Sequence, residues 1–385
     1  NGFKNTWNTK FRRAPLNFSQ SFSIGDQKTL FGRELGFIFG FKYGSSIRFD
    51  PNGISQRVGD ESLGYLFERQ DNAIISRETN SVSSLLNLAY KLNKNNKVSF
   101  LFMPNLIGNN DVASFEEIPL GVINQEAAVS KNIFYEQRKQ LIYQYASQHY
   151  IPSIKLKLDL NASYTDGSSI APDFKATQFL RFLDYSTVTG YEFSPTAGEG
   201  IRRYDRYLDE NIFDARISAE LPIKSLKDVV VCKLKFGAAT QRNYRKIDNN
   251  SLVSTYIESI NASGTFNSER FENEVELDET KQFTANYTKK FDDKGHELVA
   301  EFQYETSTED EDSDITSAIP EEVFTAESQK RILYQLDYVW PIDENTQFEI
   351  GYRGNFKTQV NDYNVSIEDN NVFVRNTDLS NILAY

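Results

Sequence analysis

Arg202, Arg203, Tyr204, Arg206 and Tyr207 set three cations beside two phenol rings within one short stretch of the 385-residue chain. Arginine makes paired hydrogen bonds to carboxylate and phosphate, and tyrosine offers a ring face, so these five residues could grip an anionic or sugar-like ligand. They could equally brace their segment against acidic neighbours, and they are the candidate ligand contacts of the chain. Nucleophilic catalysis would need a base oriented beside its nucleophile. The two histidines, His149 and His296, both fall at short polar turns, and no Ser-rich or Gly-rich elbow accompanies them. No catalytic residue is assigned, and the chain is not expected to be an enzyme. Glu309, Asp310, Glu311, Asp312, Ser313 and Asp314 carry oxygens of the kind that calcium takes, but without the Gly-centred spacing and closing Glu of a calcium loop. One cysteine and two distant histidines cannot build a zinc site, so no metal is expected. Gly198-Glu199-Gly200 lacks a strand-to-helix setting, so no dinucleotide is expected, nor any other cofactor.

The elements that must position these residues are strands. Ile154, Leu156, Leu158, Leu160, Ala162 and Tyr164 alternate with Lys155, Lys157, Asp159, Asn161 and Ser163. A period of two with one apolar side describes a strand whose one face lies in an apolar medium. The same pattern predicts about twelve strands in six pairs, each pair closed by a short polar turn. The pairs are 16–24 with 35–44, 85–92 with 98–104, 141–149 with 154–164, 212–221 with 229–240, 281–290 with 297–305, and 332–340 with 348–357. Most strands run about 8–12 residues, close to the roughly 9–11 that cross a bilayer at a tilt. Between pairs stand long polar connections, 45–84, 105–139, 165–211, 241–280 and 306–331, read as loops; the arginine–tyrosine cluster falls in the third. Loops of that length are uncommon inside compact domains and ordinary on the outer side of a membrane barrel. Tyr90, Phe291, Tyr338 and Trp340 recur at the short turns, where amphipathic rings would meet headgroups. Lys155, Lys157, Asp159, Asn161 and Gln335 would line the interior.

Composition fits this reading. Aromatic residues make up 14% of the chain, which favours strands, and no run of about 18 apolar residues marks a transmembrane helix. The negative mean hydropathy is as expected of alternating strands as of a soluble protein. A net charge of −12 argues against a nucleic-acid partner. The acid is local, in 269–279 and 305–322. A single cysteine, Cys232, excludes an internal disulfide framework, and its phase with Val230, Leu234 and Phe236 makes it a buried or lipid-facing thiol. The chain begins at Asn1 with no secretion signal, as a mature or internal piece would.

Residues 11–43, FRRAPLNFSQSFSIGDQKTLFGRELGFIFGFKY, resemble the early barrel strands of TonB-dependent outer-membrane receptors of Gram-negative bacteria. Residues 287–304, YTKKFDDKGHELVAEFQY, and 330–362, KRILYQLDYVWPIDENTQFEIGYRGNFKTQVND, resemble a related outer-membrane barrel group. The resemblance implies an all-β fold, an antiparallel transmembrane β-barrel of 22 strands, crossing the outer membrane many times and closed by an N-terminal plug. It implies uptake of a ligand, with a coupling segment that contacts TonB. This chain shows no plug-like sequence, no coupling segment and only about twelve of the strands, so residues 1–385 read as one incomplete barrel region. The partners expected are outer-membrane lipids, the TonB energy-coupling complex through a plug absent from this chain, and a surface lipoprotein or other subunits of an outer-membrane complex. Other readings stay open: a structural subunit of such a complex, a soluble acidic β-protein, or a passive porin of about 14 strands with 1–10 and 371–385 as closing strands.

Overall fold

The computed structural model describes residues 9–60, 65–119, 126–184, 187–193, 201–226, 229–254, 268–292, 294–317, 319–343 and 346–384. Residues 1–8, Gly198-Glu199-Gly200 and Asn261 lie outside them. The described residues form one 15-stranded antiparallel sheet. Six hairpins make up its body: β1 (Phe18–Leu30) with β2 (Arg33–Asp60), β3 (Tyr65–Asn93) with β4 (Asn96–Pro119), and β5 (Glu126–Ile151) with β6 (Leu156–Asp184) come first. After the short β7 (Thr187–Phe193) follow β8 (Ile201–Leu226) with β9 (Val229–Ser254), β10 (Ser268–Lys290) with β11 (Glu297–Thr316), and β12 (Glu321–Pro341) with β13 (Gln347–Asp369). The strips β14 (Val372–Arg375) and β15 (Asn381–Ala384) pair with the far part of β13. These six hairpins are the six predicted pairs.

The turns show why the chain reverses where it does. Phe31 and Gly32 both take positive φ (51° and 74°), the backbone of a two-residue turn matched to strand twist. Asn370 and Asn371 do the same between β13 and β14, and asparagine tolerates that region well. Asn93 Oδ1 accepts from the Asn95 backbone N–H and from Asn96 Nδ2, at 2.8 and 2.7 Å. Asp292 Oδ1 accepts from the backbone N–H groups of Lys294 and His296.

Register carries one apolar face across the hairpins, and the row through Phe102 and Tyr164 ends at Phe213, whose partner on β9 is Arg242. Phe22 pairs with Phe41, Phe39 with Leu86, Leu86 with Phe102 and Phe102 with Tyr143. Tyr143 then pairs with Tyr164, and Tyr164 with Phe213. Farther along, one row reads Phe283, Tyr304, Ile332, Phe356. From the short turns this apolar belt rises about nine residues, the length of hydrocarbon crossed by a tilted strand. It then stops in a single step: the row beyond Phe283 reads Lys281, Thr306, Lys330, Thr358. The opposite face is mainly polar through the belt, with Ser23, Asn105, Asn161, Gln303 and Gln335, and with Leu101, Met103, Ile142 and Leu333 interspersed.

No protein core among the described residues receives the apolar side chains. Among the described residues the buried hydrophobics are Ala73, Ala171, Cys232, Ile315, Leu333 and Val365, small or isolated. Phe302, Ile350 and Phe356 stand outside at 40%, 59% and 58% exposure to water. Each such side chain gains about 1.5–3 kcal/mol on leaving water, and only hydrocarbon is there to take it. One belt position is filled by a neighbour's ring. A Cβ on buried Gly354 would lie 2.5 Å from Tyr334 Cζ, so the Tyr334 ring covers the glycine. That ring stacks on Tyr352 and Phe356 at 5.7 and 5.8 Å.

Three expectations need correction. The long connections are mostly strand: β2 to β6 and β8 to β13 run 20 to 29 residues, not 8–12. At about 3.3 Å per residue they reach roughly 65–95 Å, so more than half of each stands clear of the bilayer. Among the described residues, 371–384 carry β14 and β15, which pair with β13 and not with β1. Lys155 sits in the β5–β6 turn with φ +54°, not on the wall.

Candidate functional site

The arginine–tyrosine cluster lies on β8, beyond the belt, so it belongs to a wall and not to a loop. A strand alternates its side chains, and this splits the five residues into two sets. Arg202, Tyr204 and Arg206 stand on the polar face; Arg203 and Tyr207 stand on the other.

On the polar face a register shift in β6 between Ala171 and Phe174 sets Phe174 opposite Tyr204. Their rings stack at 4.3 Å and 20°, and Phe134 of β5 meets the edge of Phe174 at 5.7 Å. The result is an aromatic strip across three strands. Arg138 and Arg206 converge below it on Glu136, at 2.8 and 3.8 Å. Glu136 is 3% exposed and also accepts from Ser169 Oγ at 2.9 Å. Burial pushes the Tyr204 phenol above its ordinary range, so the ring stays neutral. Arg202 and Arg206 are exposed, whereas Arg203 is buried on the opposite face in an ion pair with Asp173. Asp173 also pairs with buried Lys175 at 2.9 Å. Burial opposes ionisation of Asp173, but the two cations win and hold its carboxyl below the usual range. Arg203 thus braces the segment, while Arg202 and Arg206 stand exposed on the polar face on either side of Tyr204. Tyr207 lies over an outward-face cavity of about 450 Å³ with Asp205, Asp248 and Asp314.

Sequence reasoning missed a second cluster. Glu276, Asp278 and Glu309 bring one carboxylate oxygen each within 4.8 Å of one another, on facing strands β10 and β11. Arg245 Nη1 donates to Glu276 Oε2 at 2.6 Å, and Asn243 Nδ2 to Asp278 Oδ2 at 3.3 Å. Burial, only partly offset by Arg245, pushes Glu276 up to about 7, with Asp278 and Glu309 adding repulsion. These three carboxylates are the group among the described residues that could hold a cation, although Arg245 and a proton on Glu276 both compete for it. The signal was legible, since Glu274, Glu276 and Asp278 recur at every second residue of an acidic run.

At the short-turn end of the polar face, a cavity of about 590 Å³ is lined by Gln27, Glu34, Lys91, Lys97, Lys157 and Asp159, among others. Lys157 and Asp159 lie where the alternation put them. At the β10–β11 turn, His296 stacks on Phe291 at 4.4 Å and its Nε2 lies 2.8 Å from the Tyr338 hydroxyl. Trp340 stacks beyond it at 6.2 Å. His149 Nδ1 meets Asn96 Oδ1 at 2.7 Å. Among these contacts neither histidine meets a serine, threonine or cysteine; the hydroxyl beside His296 is the Tyr338 phenol.

The model of the outer membrane protein beta-barrel family matches residues 289–385, from the end of β10 through β15. Comparison with curated proteins gives no match. The matched segment, the all-strand architecture and the outward apolar belt together make the chain a multi-pass protein of the outer membrane, with an antiparallel barrel fold.

Proposed function

We propose that this barrel takes up a ligand across the Gram-negative outer membrane. TonB, acting on a plug within the lumen, would supply the energy. In such a barrel the short turns face the periplasm and the strand extensions face the outside. The observation that carries the reading is the polar face itself. It runs from the periplasmic mouth at Lys157 and Asp159 along Asn161, Ser163, Thr165 and Ser169 of β6 to Tyr204 and the exposed Arg202 and Arg206, far beyond the belt, with Ile212 and Leu208 of β8 the apolar side chains on the way. A wall that only filled space in the membrane would have no use for a polar surface of that height. The resemblance of residues 11–43 to TonB-dependent receptors supports the energy source.

The test uses the full-length protein and needs no ligand. In planar bilayers it should show no steady conductance, and it should capture the periplasmic domain of TonB. A stable ohmic conductance without TonB capture would favour the passive pore. Neither conductance nor capture would favour a structural subunit of a larger outer-membrane complex.

A further inference from the structure

We infer that the polar face around Tyr204 is a capture site for an anion carrying a flat ring, held by Arg202, Arg206 and Arg270. This rests on the import reading and names the class of ligand. Register assembles the site from three strands. Tyr204 of β8 pairs with Ser251 of β9, and Ser251 pairs with Arg270 of β10. Phe174 covers one side of the Tyr204 ring. The neighbour on the other side is only a serine, whose Oγ bonds back to the Arg270 carbonyl at 3.4 Å, so that side has room for a guest ring.

Three cations frame the gap. Arg202 and Arg206 lie two residues to either side of Tyr204, each about 7 Å away along the strand. Arg270 lies across Ser251, about two strand spacings or 10 Å from Tyr204. The frame therefore matches one ring with acidic substituents on two or three sides. The guanidiniums are only loosely engaged. Arg206 is 3.8 Å from Glu136, and Arg270 is 3.4 Å from Glu272. Arg202 has no acidic partner among the described residues. In a chain of net charge −12, three exposed arginines gathered on the polar face point to a ligand that is itself negative. Guanidinium matches carboxylate, phosphate and sulfate by paired hydrogen bonds, and the ring contact adds preference for a flat or ring-shaped body.

The experiment is a fluorescence anisotropy titration of the full-length protein in detergent, with pyranine, a flat aromatic trisulfonate, as probe. A sulfated uronic-acid disaccharide and inorganic phosphate serve as competitors. Wild type should bind pyranine, with an affinity that falls as salt rises. The variant R202Q/R206Q/R270Q should bind at least ten-fold more weakly, while Lys330→Gln on the outward face changes nothing. Tyr204→Leu should lose the preference for pyranine over phosphate, and Tyr204→Phe should keep it. Competition by the disaccharide would assign the ring to a sugar, and its failure to compete would assign an aromatic one. Heat-modifiable gel migration checks that each variant is folded. No pyranine binding by wild type, equal binding by the triple variant, or phosphate displacing the probe as strongly as an equal concentration of a flat aromatic sulfonate would each overturn the site. Loss of TonB capture with pyranine binding intact would instead remove the import reading and leave the site standing.

Discussion

Replacing Phe102 with arginine puts a charge at the middle of the belt, where register gives it Leu86 and Tyr143 as neighbours. At the bilayer midplane a lipid-facing arginine costs about 2–4 kcal/mol in a membrane barrel. Phe102 also stacks on Tyr143 at 4.8 Å and 26°, and losing such a pair costs about 0.5–1.5 kcal/mol more. The sum, about 3–5 kcal/mol, lowers the folded-to-unfolded ratio between a hundredfold and several thousandfold. Asn105→Arg is the matched control. Asn105 lies three residues along the same strand on the polar face, opposite Ser83 and Gln140, where a guanidinium stays in water. The assay is urea-dependent folding into phospholipid vesicles, followed by heat-modifiable migration. Phe102→Arg should shift the midpoint strongly and Asn105→Arg by less than about 1 kcal/mol. Equal shifts would mean that the assigned faces are wrong, and the transmembrane reading would go with them.

Three further outcomes follow from the geometry. Glu276 has its pKa raised from 4.5 to about 7 in the fold, so the protonated form is the one that favours folding. Its contribution is full below about 4.5 and lost as pH rises through about 7; Glu276→Gln should flatten stability across that window, and an unchanged pH slope would refute the assignment. Gly354→Val should push the Tyr334 ring off its seat and cost about 1–3 kcal/mol in the same urea assay, whereas Gly351→Val, which meets Asp337 Oδ1 on the polar face, should cost less. In a Trp7→Phe background, Trp340 fluorescence should be quenched more by lipids brominated near the headgroup than near the chain end; the reverse order would place the short turns at the wrong depth.

The belt was legible because hydrocarbon imposes a strict rule: between Leu156 and Tyr164 every second side chain must be apolar, and the sequence displays it. Beyond the belt the rule lapses. Residues 241–251, QRNYRKIDNNS, have water available to their side chains on both faces, so nothing in side-chain polarity distinguishes strand from loop. The hydrogen-bond ladder that makes them strand is a backbone property shared with β8 and β10, and it leaves no mark in composition. The site was half legible for the same reason. The chemistry of Arg202 to Tyr207 could be read directly, but separating Arg202, Tyr204 and Arg206 from Arg203 and Tyr207 needs the strand assignment. Arg270, Phe174 and Phe134 reach the site only through registers that no local pattern encodes.

Arg202, Tyr204, Arg206 and Arg270 ride on hydrogen-bonded ladders that continue down to the short turns. These strands cannot bend over a guest as a hinged flap would. If the cluster captures a ligand as proposed, release inward would have to arise within the channel, by a competitor for the guanidiniums or by withdrawal of what blocks the passage beneath.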